Sequence, residues 1–415
     1  MNKRLGIYIH IPFCASKCGY CDFYSLAGCD KLMPAYHNAL LQHIRESAEQ
    51  LRQHHTDSVY FGGGTPSYYG ARRICELFNA LKRAGLVYRS AEVTVEVNPD
   101  SVRAYDLALL RAEGVNRLSI GAQSANDDIL KLIGRRHNWR QVVRTVKSAR
   151  DAGFENLSLD LIYGLPSQTK EDWADTLNRA IDLAPEHLSC YGLKIEDGTP
   201  FETYRNSQIL PDDDEQADMY LYTVETLERF GYRQYEISNF ARPGRASRHN
   251  LKYWLLQDYM GFGPGAASCV GGVRYSYVRD LQEYISGIRS GGTLLAEYEP
   301  IGLLDRAAEY IMLSMRTVRG ISGQEYHNIY RSDFAPLEEL LQEFRHKGWT
   351  AQEENGRWHF TPAGFLLSNL LIGMMLDRQG EYKLSGNPWV DSMDAFAERE
   401  ELPAGEEIFY HQPAT

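Results

Sequence analysis

The segment Cys-Ala-Ser-Lys-Cys-Gly-Tyr-Cys, residues 14–21, places three cysteines within eight residues, directly after a short apolar run at residues 5–11. Cysteine thiolates are the usual ligands of iron–sulfur clusters, and short spacings let one loop wrap a cube of iron and sulfide. A zinc site usually draws four ligands from two paired clusters, and no second pair follows here. The pattern therefore predicts a [4Fe–4S] cluster on Cys14, Cys18 and Cys21, with one iron left open for a small molecule.

Composition and charge exclude several other classes of protein. The 415 residues carry a formal net charge of −11, which argues against a nucleic-acid role based on phosphate neutralisation. No stretch approaches the ~20 continuous apolar residues of a membrane span, and the start does not resemble a signal peptide. Seven cysteines in a chain of this size, without an export signal, do not form a disulfide framework. We therefore expect a cytoplasmic protein without a membrane span and without a nucleic-acid partner.

The first half of the chain alternates short β-branched runs with longer segments of helical spacing. Parallel strands need a helical crossover, so six such units predict an α/β fold with a parallel sheet. Periodicity alone does not decide between an open sheet and a closed or partial barrel. The predicted strands are residues 5–11, 58–61, 92–97, 117–120, 156–162 and 187–191.

Glycine and polar residues follow directly after these strands. Cys14 follows the first, residues 62–65 the second, residues 98–99 the third and Gln123 the fourth. Active sites of α/β folds form at the carboxyl ends of the strands. One site built from several units is the natural interpretation.

Beyond residue 300 the pattern changes to helices at residues 304–317 and 336–347, a hairpin at 349–360 and a helix at 362–375. This order resembles a winged-helix module. Residues 301–378 carry eight basic and ten acidic side chains, a poor surface for DNA, so a structural or covering role is expected. Residues 381–415 hold eight acidic and two basic residues and predict a loosely ordered tail.

The cysteine spacing resembles the signature of the radical-SAM superfamily, in which the open iron binds S-adenosylmethionine (SAM). The resemblance implies one-electron chemistry on SAM, with the protein supplying position and shielding. It also implies that a glycine loop, strand-end polar residues and nearby aromatic rings bind SAM. The residues that match these parts are Tyr8, Tyr20, Gly63, Gly64, Thr65, Glu96, Gln123, Arg135 and Asp160.

The motifs between residues 8 and 166 look like the oxygen-independent coproporphyrinogen oxidase branch of that superfamily. The true oxidases carry a further cysteine two positions after the third, where this chain has Phe23. The sister group, the radical-SAM heme chaperones, has phenylalanine there and a His-Asn-x-x-Tyr-Trp motif. That motif stands here as His249, Tyr253 and Trp254, which the resemblance implies as heme contacts. Many members carry a histidine where this chain has Ala267.

Two functions of different class follow from this resemblance. The first is a heme chaperone that binds heme and passes it to an acceptor protein, with a [4Fe–4S] cluster, SAM and an electron donor. The second is a radical-SAM enzyme that decarboxylates coproporphyrinogen III or modifies another tetrapyrrole. No catalytic residue is assigned. The implied fold is a partial (β/α)6 barrel with a C-terminal, mainly helical, winged-helix-like domain. The predicted division is a core barrel at residues 1–200, a cover at 201–300, the C-terminal domain at 301–378 and the tail at 379–415.

Overall fold

The computed structural model describes residues 3–292 and 294–384, the last three of these by their backbone alone. The strands in these residues are β1 (Lys3–Ile11), β2 (Phe13–Cys14), β3 (Leu26–Ala27), β4 (His54–Gly63), β5 (Leu86–Val97), β6 (Arg117–Gln123), β7 (Leu157–Tyr163), β8 (His187–Gly192), β9 (Arg233–Glu236), β10 (Asn239–Ala241), β11 (Tyr259–Phe262), β12 (Ala267–Val270), β13 (Val273–Tyr277), β14 (Leu295–Pro300), β15 (Ile321–Ser322), β16 (Thr350–Gln352) and β17 (Arg357–Phe360). The α-helices are α1 (Met33–Glu46), α2 (Ala48–Arg52), α3 (Pro66–Tyr69), α4 (Ala71–Ala84), α5 (Ala104–Glu113), α6 (Asp127–Leu132), α7 (Trp139–Asp151), α8 (Lys170–Asp182), α9 (Asp213–Arg229), α10 (Arg248–Trp254), α11 (Leu281–Ser290), α12 (Leu303–Ser314), α13 (Gly323–Tyr330), α14 (Ala335–His346), α15 (Pro362–Leu366) and α16 (Ser368–Leu384). Short 3₁₀ helices lie at Asp30–Leu32 and Pro200–Tyr204.

The described chain forms two compact units. The first takes the described residues up to Thr223 together with Asp258–Val270 and Arg274–Tyr298. The second takes Val224–Gln257, Gly271–Val273 and the described residues from Glu299 onward. The four-part division predicted from the sequence stays a prediction. Residues 385–415, most of the predicted acidic tail, lie outside the described residues.

The first unit is built on a parallel sheet in the order β11-β1-β4-β5-β6-β7-β8. All six strands predicted from the sequence are present in it, and helices connect them. Beyond β11 the sheet continues with β12, which is antiparallel to β11, and then with β13 and β14. The parallel strands do not close into a ring among the described residues. The predicted partial (β/α)6 barrel is therefore confirmed.

Apolar and polar residues alternate along the parallel strands. Val93 and Val95 of β5, and Leu118 and Ile120 of β6, are almost fully buried and lie on the face that the helices cover. The opposite face is polar, whereas the interior of a closed (β/α)8 barrel is usually filled by branched apolar side chains. A polar interior fits a barrel that holds a polar ligand. Its buried polar residues include Ser58, Glu92, Thr94, Arg117, Ser119, Ser158, His187 and Ser189.

The second unit carries the C-terminal helices and a small three-stranded sheet in the order β15-β17-β16. Along the chain, α12, β15, α13, α14 and the β16–β17 hairpin follow in the order of a winged helix, so the predicted mainly helical C-terminal fold is confirmed. The Thr361 side chain caps α15 by accepting the Gly364 N–H, as the sequence predicts. The helix predicted at 362–375 is in fact two helices, because α15 ends at Leu366 and α16 begins at Ser368.

Candidate functional site

The three clustered cysteines lie at the carboxyl end of β1. Cys14 belongs to β2, which pairs with β3, so the loop between these two short strands is closed at its base. Within the loop, the Cys21 N–H donates to the Cys18 carbonyl at 3.2 Å and forms a tight turn. All three side chains are free thiols. One continuous loop therefore presents all three sulfurs.

The glycine segment after β4 packs directly against this cysteine loop. The Gly64 N–H donates to the Ile11 carbonyl and the Thr65 N–H to the Phe13 carbonyl, both at 2.8 Å. The Thr65 hydroxyl donates to the Cys14 Sγ at 3.4 Å. A Cβ on Gly64 would lie 2.8 Å from the Phe13 carbonyl oxygen and 3.0 Å from the Cys14 Sγ. Residue 64 must therefore be glycine because the cysteine loop lies so close to it, and the Gly64 N–H is used in a hydrogen bond within the protein.

His10 contacts the cysteine loop, which the sequence did not predict, and its position explains why residue 63 is a glycine. The His10 Nε2–H donates to the Tyr24 carbonyl at 2.9 Å, so its Nδ1 accepts from the Tyr8 hydroxyl at 3.0 Å. Burial lowers the pKa of His10 to about 4, so the ring is neutral. A Cβ on Gly63, whose φ is +115°, would lie 2.7 Å from this ring. His10 thus ties the far end of the cysteine loop to β1.

Arg135 connects the cysteine loop with the ends of β5 and β6. Its guanidinium donates to the Gly121 carbonyl at 2.8 Å, to the Asn98 side-chain oxygen, and to the Cys18 Sγ at 3.7 Å. Tyr20 lies beside it, and burial raises the pKa of the Tyr20 hydroxyl, which stays protonated. Asn98 is one of the polar residues that follow the predicted strands, and its contact with Arg135 was not predicted. The arrangement keeps a cation next to the cysteine loop.

Glu96 and Asp160 lie on the polar interior of the sheet. Glu96 accepts from the Tyr60 hydroxyl at 2.9 Å and from the Gly63 N–H at 3.2 Å. Burial raises the pKa of Glu96 to about 8, and the Asp160 charge adds to this rise. Asp160 accepts from the Ser119 hydroxyl at 2.9 Å and the Ser158 hydroxyl at 3.1 Å, and burial raises its pKa as well. Two half-buried carboxyl groups therefore line this interior, each held by hydrogen bonds from neighbouring strands.

Gln123 ends β6 in a conformation that side chains rarely adopt. Its φ is +65°, and the pairing register with β7 shifts between Gly121 and Gln123. A non-glycine residue at positive φ is strained, and such strain is often found at functional sites. The strand end is buried, with Gln123 at 8% exposure. Gln123 lies two residues after Gly121, whose carbonyl accepts from the Arg135 guanidinium, so it lies near the cysteine loop as well.

The His-Asn-x-x-Tyr-Trp motif forms α10 in the second unit. Ser247 caps this helix by accepting the Asn250 N–H. His249 is 1% exposed, and its Nε2 lies 2.9 Å from the Tyr253 hydroxyl, whereas Tyr253 and Trp254 are half-buried. The imidazole is therefore engaged inside the protein, and binding of an iron at Nε2 requires this hydrogen bond to break.

Comparison with known proteins identifies the family. Residues 8–180 match the radical SAM superfamily. Over 373 residues the chain is 35% identical to the heme chaperone HemW of Bacillus subtilis (strain 168), and the match covers 89% of this chain and 98% of that protein. The chain belongs to the HemW family of the radical SAM superfamily. The heme chaperone HemW of Haemophilus influenzae (strain ATCC 51907 / DSM 11121 / KW20 / Rd) is 33% identical over 388 residues, which cover 90% of this chain and 98% of that protein.

A solved relative has the same fold over most of its length. Coproporphyrinogen III oxidase (HemN) from Escherichia coli, a radical SAM enzyme, is similar with a TM-score of 0.80 over 90% of each chain, at 26% sequence identity. None of the helices among the described residues is both long and apolar enough to cross a membrane.

HemW-family membership implies a [4Fe–4S] cluster and SAM, and the cysteine loop fits the cluster. Burial raises the pKa of the Cys14 and Cys21 thiols, and neighbouring thiolates raise it further, so the thiolates need a positive partner such as iron. No group of three His, Cys, Asp or Glu side chains in the described residues is arranged around a single metal ion. In a [4Fe–4S] cube each thiolate binds a different iron, so its ligands stand farther apart than those of one ion. The free thiols therefore suit a cluster rather than a single ion.

Proposed function

We propose that this HemW-family chain is a heme chaperone that binds heme and delivers it to an acceptor protein. The observation that carries this proposal is the match with the heme chaperones HemW, which extends over 98% of the Bacillus subtilis protein. Phe23 supports it, since this side chain is 70% exposed beside Cys21, where the resemblance to the oxidase branch leads one to expect a further cysteine. The seven free cysteines of the chain are consistent with a reducing compartment, and the proposal assigns the protein to the cytoplasm.

In this proposal the cluster is held by Cys14, Cys18 and Cys21, and SAM lies beside it. Gly63, Gly64 and Thr65 shape the loop against the cysteines, and Arg135 supplies a cation next to them. When bound, cluster and SAM supply one-electron chemistry at the sulfonium group. An electron donor for the cluster belongs to the same proposal. The residues proposed to surround SAM are Tyr8, Tyr20, Gly63, Gly64, Thr65, Glu96, Gln123, Arg135 and Asp160.

The cluster assignment is tested by changing single cysteines. Cys18→Ala is expected to lose the iron and sulfide of the anaerobically reconstituted protein, because two thiolates do not hold the cube. Cys29→Ala is the matched control, since Cys29 is the next cysteine along the chain and is also a free thiol. Full iron content in Cys18→Ala, or its loss in Cys29→Ala, would contradict the ligand set.

The heme assignment rests on His249, Tyr253 and Trp254, with His249 as the iron ligand. His249→Ala is expected to weaken heme binding and change the heme absorbance spectrum. Tyr253→Phe removes the hydroxyl that occupies Nε2 and keeps the ring, so it is expected to bind heme at least as tightly as the wild type. An unchanged heme spectrum in His249→Ala would show that this residue does not bind the heme iron. The chaperone proposal would then be tested by the transfer of heme to an acceptor protein.

A second function, oxidative decarboxylation of coproporphyrinogen III, is favoured by one observation: the similarity to HemN over 90% of each chain. The two functions are separated by incubating the reconstituted protein, SAM and reductant with heme in one sample and coproporphyrinogen III in another. Absorbance and mass spectrometry then measure the products. A stable heme complex that transfers heme to an acceptor protein, with coproporphyrinogen III unchanged, supports the chaperone. Loss of two carboxyl groups would support the oxidase instead.

A further inference from the structure

A chain of hydrogen bonds joins two of the three clustered cysteines through the ends of β4 and β5. The Thr65 hydroxyl donates to the Cys14 Sγ at 3.4 Å, and the Arg135 guanidinium donates to the Cys18 Sγ at 3.7 Å. Asn98, which directly follows β5, lies between these two donors. Its Nδ2 donates to the Thr65 hydroxyl oxygen at 3.5 Å, and its Oδ1 accepts from the Arg135 guanidinium. One side chain therefore contacts both of the groups that donate to a cysteine sulfur.

The donors and acceptors of this chain have a single consistent order. A guanidinium has no acceptor, so Asn98 meets Arg135 with its carbonyl oxygen and turns its amide group toward Thr65. The Thr65 oxygen accepts from that amide group, and its own O–H points at the Cys14 Sγ. Each of the two sulfurs thus receives a proton donor, a hydroxyl at Cys14 and a cation at Cys18.

The backbone of Asn98 is fixed by a second set of hydrogen bonds. The Asn98 N–H donates to the Ser67 Oγ at 3.0 Å, and the Ser67 hydroxyl lies 2.6 Å from that of Ser101. The Ser101 N–H and hydroxyl both donate to the Asn98 carbonyl, at 3.0 Å and 3.2 Å. Because its backbone is held in this way, the Asn98 side chain can fix the orientation of the two groups that it contacts.

Gly121 shows how closely these polar groups meet. A Cβ on Gly121 would lie 3.0 Å from the Arg135 Nη2, 3.1 Å from the Asn98 Oδ1 and 3.0 Å from the Gln123 Nε2. The Gly121 carbonyl also accepts from the Arg135 guanidinium at 2.8 Å. A glycine inside a strand often marks a place where other groups approach the backbone closely. Here the contact between Asn98 and Arg135 occupies the space that a side chain at residue 121 would need.

Hydrogen bonds to cysteine sulfurs affect the reduction potential of an iron–sulfur cluster. A cluster becomes more negative when it takes up an electron, and donors to its sulfurs stabilise that added charge. Each such donor therefore raises the potential, and hydrogen bonds that involve an ionised group are about twice as strong as neutral ones. A residue that orients the donors acts on the potential indirectly.

We propose that Asn98 is a positioning residue that holds Thr65 and Arg135 as donors to the sulfurs of Cys14 and Cys18, and thereby raises the reduction potential of the cluster. The inference rests on the proposed function in one respect, namely that a [4Fe–4S] cluster binds these cysteines. Asn98 acts through its two neighbours and is not a ligand. Its effect is to make the cluster easier to reduce by the electron donor of the proposed function.

The test is the midpoint potential of the reconstituted full-length protein without SAM, measured by redox titration with electron paramagnetic resonance of the reduced cluster. Asn98→Leu has a similar volume and removes both side-chain hydrogen bonds. It is expected to shift the reduction equilibrium about tenfold toward the oxidised cluster, which lowers the potential of a one-electron couple by about 59 mV.

Asn116→Leu is the matched control for this change. Asn116 is half-buried like Asn98, but it precedes β6 and therefore lies at the opposite end of the sheet from the cysteine loop. Its side chain also makes two hydrogen bonds, from the Val93 N–H at 2.8 Å and to the Ala91 carbonyl at 2.7 Å. Asn116→Leu should keep the potential of the wild type.

Two changes at Thr65 test the same chain and leave Asn98 in place. Thr65→Val removes the hydroxyl and keeps the shape, so the potential should fall, whereas Thr65→Ser keeps the hydroxyl and should retain most of the wild-type potential. In the double variant Asn98→Leu/Thr65→Val the two losses should be less than additive, because both changes affect the donor to Cys14.

A wild-type potential in Asn98→Leu, with full iron and sulfide content, overturns the inference. Equal falls in Asn98→Leu and Asn116→Leu overturn it too, since they indicate a general loss of structure. If Asn98→Leu does not fold or does not hold a cluster, an unchanged potential in Thr65→Val overturns the inference instead. Absence of a cluster in the reconstituted wild type would overturn the cofactor part of the proposed function.

Discussion

Each of the two units buries a cluster of charged residues, and the two clusters are built in opposite ways. In the second unit, the Glu325 carboxylate accepts from the guanidinium groups of Arg319 at 2.7 Å and Arg357 at 2.8 Å, and from the Tyr310 hydroxyl at 2.7 Å. Burial raises the pKa of Glu325, but the two guanidinium groups outweigh it, and the net pKa is lowered. In the first unit, Glu96 and Asp160 accept hydrogen bonds from neutral donors, no ion pair to either is present among the described residues, and the pKa of each is raised.

The difference separates a structural cluster from a binding site. Glu325 has two cations for one carboxylate, and Arg357 also donates to the Arg319 and Gly320 carbonyls, so the cluster ties β17 to α13 and the turn before β15. The polar interior of the first unit carries three carboxyl groups, Glu92, Glu96 and Asp160, and lies on a face that the apolar core does not fill. A buried cluster with surplus acceptors is arranged for a ligand, whereas a satisfied one holds the fold.

The largest effect is expected at the satisfied cluster. Glu325→Gln leaves Arg319 and Arg357 buried without a counter-charge, and removal of one partner from a buried ion pair costs about 3 kcal/mol or more. Because the pKa of Glu325 is lowered, its stabilisation is fully present above the usual glutamate pKa of 4.5 and is lost as the pH falls through the lower folded value. Chemical denaturation at pH 7 and at acidic pH measures this difference.

Glu338→Gln on α14 is the control for this change, since Glu338 is exposed. SAM binding should be the same in both variants. Equal stability of Glu325→Gln and Glu338→Gln at pH 7 would contradict a structural role for the cluster.

The opposite pH dependence is expected for Glu96. Its pKa is raised from 4.5 to about 8, so the ionised group destabilises the fold progressively as the pH rises between these values. Glu96→Gln should therefore gain stability relative to the wild type over this range, on the order of 3 kcal/mol between pH 5 and pH 8. Thermal denaturation across this range measures the slope. A stability difference that does not change with pH would show that the pKa of Glu96 is not raised. Weaker SAM binding by Glu96→Gln is expected with either outcome.

The strands of the first unit were predictable because each core strand carries a β-branched run within a unit of 30–40 residues. Their ends were less predictable. β5 begins at Leu86 rather than near residue 92, because its first residues are mostly exposed and carry no apolar alternation. β11 was missed altogether, since Tyr259–Phe262 is short and lies in a glycine-rich stretch. Its strand conformation depends on pairing with β1, a contact between residues about 250 positions apart that no local pattern encodes.

The candidate site divides in the same way. The cysteine loop, the glycine loop and the strand ends are local motifs, so Cys14, Gly64 and Gln123 could be proposed from the sequence. His10 and Arg117 lie inside strands, and their contacts arise only when the strands pack. The period of two was the signal that could have found Arg117, because steps of two residues back from Gln123 lead through Gly121 and Ser119 to it. The sequence identifies the residues of the heme motif but not the burial of His249, which depends on how α10 packs.

The smallest effect is expected from two matched tyrosines that donate to the two glutamates. Tyr60 donates to Glu96 and Tyr310 to Glu325, at 2.9 Å and 2.7 Å. Changing either to phenylalanine removes one hydrogen bond to a carboxyl group and keeps the ring, a loss of about 1.5 kcal/mol.

Tyr310→Phe should lose that amount in stability at neutral pH and leave SAM binding unchanged, because two arginines still hold Glu325. Tyr60→Phe should instead raise the pKa of Glu96 further and move the SAM-binding profile to higher pH, with a smaller loss of stability. Calorimetric SAM binding and denaturation on the same two variants provide both readouts. If both variants lose stability alike and neither changes SAM binding, the two clusters are equivalent and the distinction between ligand site and structural cluster fails.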